Sequence, residues 1–118
     1  MHGTMLQQFM NTYSTAQQWT ANNVGGNNWT FVNVAGGLAI DDYGWSTTPG
    51  SQIDEWDNWG GQVQQWQPVA VGDGTYKLLS AVSNLPMEVQ GANIANGGTI
   101  GQWYDNGNAC QHWIFQTP

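Results

Sequence analysis

The residues best suited to chemistry in this chain are tryptophans that recur in pairs, with amides and acids beside them. In each pair the two tryptophans are ten residues apart, and the segment between them is rich in Gly and Asn. The three pairs are Trp19 and Trp29, Trp56 and Trp66, and Trp103 and Trp113. An indole face offers apolar contact to a flat partner, and Asn or Gln both donates and accepts hydrogen bonds. This combination favours non-covalent binding of neutral, hydroxyl-rich molecules.

The composition supports a neutral partner. Only 8% of the residues are charged, the formal net charge is −7, and Lys77 is the only base. Nucleic acids and anionic membranes need Lys or Arg to meet their phosphates, so neither is expected as a partner. Asn and Gln together number 25. No apolar run approaches the roughly 20 residues of a membrane-spanning helix, and we expect no membrane insertion.

The acids and the cysteine do not form a catalytic or metal-binding pattern. A glycosidase needs two carboxylates across a cleft, and no spacing among the eight acids singles out such a pair. The single cysteine, Cys110, allows no intrachain disulfide. We therefore predict a protein that is not an enzyme, with no catalytic residues, no metal site and no cofactor.

The tryptophan pairs belong to a longer internal repeat. The second and third copies share three residues before the first Trp: an Ile three positions before it, a Gly six before it and an acid fifteen before it. At the same three positions, the first copy has Ala16, Tyr13 and Thr4. The first Trp residues are 37 and then 47 residues apart, so ten residues, corresponding to 67–76, are missing from the first copy. This phasing predicts a single domain, 1–118, with repeats of roughly 1–30, 31–67 and 68–118, the first one trimmed.

The elements that must position these residues are short strands. Runs such as "FVNV", "QPVAV" and "YKLL" are apolar or alternating, and turn pairs such as Asn-Gly and Gly-Gly bound them. This texture predicts an all-β barrel or sandwich.

The segment "GDGTYKLLSAVSNLPMEVQGANIANGGTIGQWYDNGNACQHW" resembles one repeat of the ricin B-chain-like lectins, including the family 13 carbohydrate-binding modules. Their Gln-x-Trp signature is matched by Gln64-Gln65-Trp66 and Gln111-His112-Trp113, with Asn27-Asn28-Trp29 as a variant. The resemblance implies a β-trefoil with pseudo-threefold symmetry, whose three repeats each contribute four strands. It also implies non-catalytic binding of neutral glycans or polysaccharides.

The resemblance also implies roles for the residues of each repeat. The second Trp of each pair is expected in the core, and the first is expected to stack on a sugar beside a hydroxyl-binding acid and amide. The sites so implied comprise Asp41, Asp54, Trp56 and Gln64 in the second repeat, Glu88, Trp103 and Gln111 in the third, and Gln17, Trp19 and Asn27 in the first. We expect the first to be weakest, because Thr4 stands at its acid position. Relatives carry Asn before the Gln of Gln-x-Trp, where this chain has Gly26, Val63 and Cys110.

Two other functions fit the same fold: a β-trefoil that binds proteins or inhibits proteases, and a lectin fold whose sites have decayed. We expect a secreted protein, either a module of a larger protein or a free lectin, although the start "MHGTML" is not a signal peptide. A trimmed first repeat would leave an open edge, which a second copy could close to form a homodimer.

Overall fold

The computed structural model of the chain describes residues 4–5 and 12–116, with side chains from residue 12 onward. This part consists of short strands and single turns of 3-10 helix, so the all-β prediction is confirmed. The strands are β1 Thr4–Met5, β2 Trp19–Gly25, β3 Asn28–Asn33, β4 Leu38–Asp42, β5 Ile53–Asp57, β6 Trp66–Ala70, β7 Tyr76–Ser80, β8 Met87–Val89 and β9 Ile100–Gln102. The 3-10 turns are Thr15–Gln17, Tyr43–Trp45, Gln62–Gln64, Gln90–Ala92 and Ala109–Gln111.

All of the strand pairs are antiparallel. One sheet runs in the order β1-β5-β4-β3-β6-β7, with β2 also paired to β3, and β8 and β9 form a separate pair. β4 lies between β3 and β5 and is buried at all five positions, which places two adjacent acids, Asp41 and Asp42, inside the protein.

One hydrophobic cluster links strands β2 to β9 of the described chain. Its buried members are Phe31, Ile40, Ile53, Trp66, Leu78, Met87 and Ile100. Trp19, Trp29, Val89 and Trp113 are partly buried and pack against it. The predicted interior packing is confirmed for Trp66, which is completely buried, whereas Trp29 and Trp113 are only partly buried, as is Trp19.

Hydrogen bonds and strand register show that the repeat length is 47 residues along the whole described chain. β2 and β3 align Trp19 with Asn33, and β6 and β7 align Trp66 with Ser80, 47 positions later in both strands. The amide of Val34 donates to the carbonyl of Gln18 at 2.9 Å, and that of Ala81 donates to Gln65 at 3.0 Å.

The predicted phase of the first copy is therefore wrong. Trp19 follows a 3-10 turn and begins a strand, as Trp66 does, so Gln17-Gln18-Trp19 is the Gln-x-Trp of the first copy. Trp19 and Trp29 lie on the two strands of one hairpin, and their spacing of ten comes from that hairpin. The residue 47 positions before Trp56 is Phe9, which lies outside the described residues. Thr4 in β1 pairs with Glu55 in β5. It is therefore not the counterpart of the acids Asp41 and Glu88.

Candidate functional site

An open cavity of about 360 Å³ lies where β4 and β5 meet the loops that follow them. β4 contributes Asp41, β5 contributes Trp56, and the segment 43–45 contributes an exposed turn. The full lining is Asp41, Tyr43, Gly44, Trp45, Trp56, Trp59 and Val63. The predicted pair of Asp41 and Trp56 is thus brought to one surface.

A second cavity, of about 420 Å³, lies at the equivalent place in the third repeat. Each residue that lines the first cavity has a counterpart 47 positions later that lines the second. Three positions keep their character, namely Asp41 and Glu88, Gly44 and Gly91, and Trp56 and Trp103. Four positions change, namely Tyr43 to Gln90, Trp45 to Ala92, Trp59 to Asn106, and Val63 to Cys110. The two cavities are therefore copies of one site with different walls.

The indoles of Trp56 and Trp103 are open to solvent, as predicted. Their exposed fractions are 37% and 40%. Gly50 lies against the ring of Trp103, since a Cβ added to Gly50 would be 3.5 Å from it. Each indole can therefore offer apolar surface to a ligand, and Gly50 packs against the ring of Trp103.

Gln64 acts as a clamp between the acid and the loop of the first cavity. Its Nε2 donates to the carbonyl of Asp57 at 2.7 Å and to Oδ2 of Asp41 at 3.3 Å. Its Oε1 accepts from the backbone amides of Trp59 at 3.2 Å and Gly60 at 3.3 Å.

Gln111 repeats this arrangement in the second cavity. Its Nε2 donates to the carbonyl of Tyr104 at 2.7 Å and to Oε1 of Glu88 at 3.3 Å, and its Oε1 accepts from the amide of Asn106 at 3.2 Å. Gln64 and Gln111 are completely buried. The prediction that they bind a ligand directly is therefore corrected, because their amides are used internally to orient the acid and the loop.

The strands that carry the acids are also fixed by the core tryptophans. The indole Nε1 of Trp66 donates to the carbonyl of Ile40 at 3.2 Å, and that of Trp113 donates to Met87 at 3.0 Å. Each accepting residue directly precedes the acid of its cavity. The Gln and the Trp of each Gln-x-Trp therefore hold the acid of their cavity in place through hydrogen bonds from the interior.

Asp54 does not line the first cavity, although the sequence predicted it as a ligand contact. It lies opposite Asp41 in the register of β4 and β5 and is completely buried. Neither of its carboxyl oxygens has a hydrogen-bond donor among the described residues. Burial, together with the neighbouring charge of Asp41, raises the pKa of Asp54 to about 7.

The other two acids of this cluster are also affected by burial. Desolvation raises the pKa of Asp41, although the hydrogen bond from Gln64 opposes this effect. Desolvation also raises the pKa of Asp42 to about 6, while Ser80 Oγ donates to its Oδ2 at 3.0 Å. Asp41 is the member of the cluster that lines the cavity, and the hydrogen bond from Gln64 partly opposes the effect of burial on its pKa.

The site predicted for the first copy does not assemble. Trp19 is partly buried against the core, whereas Asn27 is exposed in the turn between β2 and β3. The Oε1 of Gln17 accepts from the amide of Thr12 at 2.7 Å. The predicted ligand contacts of all three residues are corrected. Gln17 and Trp19 are the counterparts of Gln64 and Trp66, which lie behind the site, and Asn27 lies in the turn of the β2-β3 hairpin.

Several lining residues were missed by the sequence reasoning. They are Tyr43, Gly44 and Trp45 in the first cavity, and Gln90, Gly91, Ala92, Asn106 and Asn108 in the second. An offset of 47 applied to "DDYGW" and "EVQGA" could have identified most of them. Trp59 also lines the first cavity.

Val63 and Cys110 line the cavities at the predicted place, directly before the clamping Gln. Cys110 Sγ lies 3.9 Å from Oε1 of Glu88. Burial, and to a lesser extent the charge of Glu88, raises the pKa of the Cys110 thiol. The thiol is therefore a neutral wall group.

The described residues contain no group of three or more His, Cys, Asp or Glu placed to hold a metal ion. Within the same part of the chain, no helix is long and apolar enough to cross a membrane.

The chain matches a sequence model of one protein family, described as the ricin-type β-trefoil lectin domain-like family. The matches cover residues 15–103 and 73–118. No curated protein sequence matches the chain.

Solved structures with similar folds include one designed protein and two natural ones. The designed threefold-symmetric protein ThreeFoil has a TM-score of 0.90 and 28% identity, over 95% of this chain and 81% of that one. The exo-β-1,3-galactanase 1,3Gal43A from Clostridium thermocellum has a TM-score of 0.87 and 34% identity, over 91% of this chain and 23% of that one. The Polyporus squamosus lectin, bound to Neu5Acα2-6Galβ1-4GlcNAc, has a TM-score of 0.72 and 27% identity, over 84% of this chain and 35% of that one.

Proposed function

The chain belongs to the ricin-type β-trefoil lectin domain-like family, and from this membership we propose that it binds carbohydrate at the two cavities without catalysing a reaction. Its fold is the β-trefoil expected from the sequence resemblance. The proposal places one sugar-binding site in the second repeat and one in the third.

The observation that carries the proposal is the same pairing of an open indole with a clamped acid in both cavities. Trp56 and Trp103 offer apolar faces to a pyranose ring, and Asp41 and Glu88 can each accept from two adjacent hydroxyls. The clamps keep each acid in place before the ligand arrives, so less side-chain freedom is lost on binding.

Each site alone should bind weakly. A stacked ring and a few exposed hydrogen bonds yield about 4–6 kcal/mol, which corresponds to millimolar to tens-of-micromolar dissociation constants. Two sites acting together on a polymer or a cell surface would strengthen the attachment.

We propose galactose-containing glycans as the ligand class. The galactanase that is 34% identical to this chain acts on a β-1,3-galactan, and the lectin that is 27% identical binds a glycan with an internal galactose. Neither likeness extends to the whole of those proteins. The extracellular location, and a role as either a free lectin or a module of a longer protein, belong to the same proposal.

A glycan array with the wild-type chain, followed by calorimetric titration of the best ligand, tests the proposed function. Trp56→Ala and Trp103→Ala should each weaken their own site at least about tenfold, about 1.4 kcal/mol. Ile94→Ala is the control, since Ile94 is 99% exposed and lines neither cavity. Absence of signal on every glycan would contradict the proposal and favour either a protein-binding trefoil or a lectin fold whose sites have decayed.

A further inference from the structure

We propose that the two cavities differ in the length of glycan they recognise: the second-repeat cavity holds two adjacent sugar rings, and the third-repeat cavity holds one. This inference rests on the proposed carbohydrate binding and assigns a specificity role to Trp45 and Trp59. They form a second stacking surface beside the primary site of Asp41 and Trp56.

The first observation is the change of wall chemistry at equivalent positions. In the second repeat, Trp45 and Trp59 line the cavity together with Trp56. Their counterparts in the third repeat are Ala92 and Asn106. The third-repeat cavity therefore has a single indole for stacking, Trp103, whereas its partner has three.

The second observation is that Trp45 and Trp59 meet to form one continuous surface, which we call the aromatic wall. Their ring centroids are 5.9 Å apart and the rings are inclined at 47°. The side chains remain 50% and 56% exposed. Two indoles in contact, both open to solvent and facing the cavity of a stacking Trp, provide apolar area that a single pyranose on Trp56 does not cover.

The backbone on both sides of the cavity holds the wall in place. The Trp59 ring lies directly over Gly61, where an added Cβ would overlap the ring. The Trp59 amide is held by Gln64, the clamp that also contacts Asp41. One side chain therefore holds both the backbone of Trp59 and the carboxyl of Asp41.

Trp45 is presented by an unusual backbone conformation. Its φ is 60°, in the left-handed region that bulky residues rarely adopt. Ala92 has a φ of 52° at the equivalent position, so the turn has the same shape in both repeats. In the second repeat this shape directs a large apolar side chain to the cavity, and strained residues of this kind are often found at binding sites.

The amides of the third-repeat cavity do not replace the wall. Gln90 Nε2 donates to the carbonyl of Gly50 at 3.0 Å, and its Oε1 accepts from Thr99 Oγ1 at 2.6 Å. The Oδ1 of Asn106 accepts from the amide of Asn108 at 3.0 Å. These side chains are largely occupied with local bonds and leave one stacking position for one sugar.

The test compares galactose with lactose in variants that retain one cavity each. Trp103→Ala leaves the second-repeat site, and Trp56→Ala leaves the third-repeat site. By calorimetry or NMR titration, the second-repeat site should bind lactose at least about tenfold more tightly than galactose. The third-repeat site should show a ratio below about threefold.

Adding Trp59→Ala or Trp45→Ala to the Trp103→Ala protein should reduce the lactose-to-galactose ratio to that of the third-repeat site. The control is Ile94→Ala in the Trp56→Ala protein, which should leave its ratio unchanged because Ile94 is exposed and lines neither cavity. Equal ratios at the two sites, or a Trp59→Ala variant that weakens both sugars equally, would overturn the inference while carbohydrate binding stands. Absence of any glycan binding by the wild type would instead overturn the proposed function.

Discussion

At the scale of single residues, Gln64 joins three parts of the second-repeat site. Its amide reaches the Asp41 carboxyl, the carbonyl of Asp57 and the amides of Trp59 and Gly60. A buried group with this many partners is costly to remove, because each partner loses its bond in a place that water does not reach easily.

We expect Gln64→Ala to lower the free energy of unfolding by about 2–3 kcal/mol and to abolish binding at the second-repeat site. Urea denaturation and sugar titration measure the two effects. The control is Gln116→Ala, at an exposed position, which should change neither. A Gln64→Ala protein that is destabilised but binds with full affinity would show that the clamp does not position the site.

The buried acids should make stability depend on pH. The folded-state pKa of Asp54 is about 7 and that of Asp42 about 6, against an ordinary value of 3.8. Between pH 4 and 7 the folded protein therefore binds more protons than the unfolded chain, and the free energy of unfolding falls as pH rises through this window.

We expect Asp54→Asn to stabilise the protein at pH 8, by an amount on the order of 2 kcal/mol, because it removes a buried charge that neighbours Asp41. At pH 4 the effect should be much smaller, since Asp54 is already protonated there. Urea denaturation of both proteins across this range measures the difference. An equal loss of stability at both pH values would contradict the raised pKa.

At the scale of elements, the loop between β5 and the turn Gln62–Gln64 gives the second-repeat cavity its character. The backbone has the same conformation at one position of its counterpart in the third repeat, since the φ values of Gly61 and Asn108 are −67° and −71°. The backbone conformation at Gly61 does not require glycine. Glycine is needed there because the Trp59 ring lies over it and leaves no room for a side chain.

We expect Gly61→Ala to displace the Trp59 ring and to change the free energy of unfolding by less than about 1 kcal/mol. The indole N–H signals in an NMR spectrum report the displacement, and the lactose-to-galactose ratio of the second-repeat site should fall with it. Gly36→Ala is the control, because its added Cβ would make only ordinary contacts, at 4.0 Å. Unchanged indole signals in Gly61→Ala would show that the position of the Trp59 ring does not depend on its contact with Gly61.

At the scale of the whole molecule, the repeat places two related sites on one compact chain. Weak sites gain attachment strength when they engage one polymer together. Under the proposed function, the number of cavities that bind therefore matters as much as the affinity of either one.

We expect each single variant, Trp56→Ala or Trp103→Ala, to lower the apparent affinity for an immobilised galactose-bearing polymer by at least about tenfold. The double variant should lose retention, and Ile94→Ala should behave as wild type. Surface plasmon resonance at several ligand densities measures the effect. A loss of only half of the bound signal, with unchanged dissociation, would show that the sites act independently.

By itself, the sequence determined the all-β class, the repeated Trp-and-amide pattern, the family, and the pairing of Asp41 with Trp56 and Glu88 with Trp103. The repeat follows from spacing along the chain, with an offset of 47 residues between the second and third copies. The family, the pairing of each acid with its indole and the exposure of the two indoles were implied by the resemblance to the ricin B-chain-like lectins.

Only the tertiary structure decided the phase of the first copy and the roles of the buried polar residues. A spacing of ten arises both across the β2-β3 hairpin and between β5 and β6, and only strand register distinguishes the two. The side chains of Gln64, Gln111 and Asp54 are polar, yet they are buried and do not face the ligand cavities. Whether a side chain points into a cavity or into the interior depends on contacts between strands far apart in the chain, which local spacing does not specify.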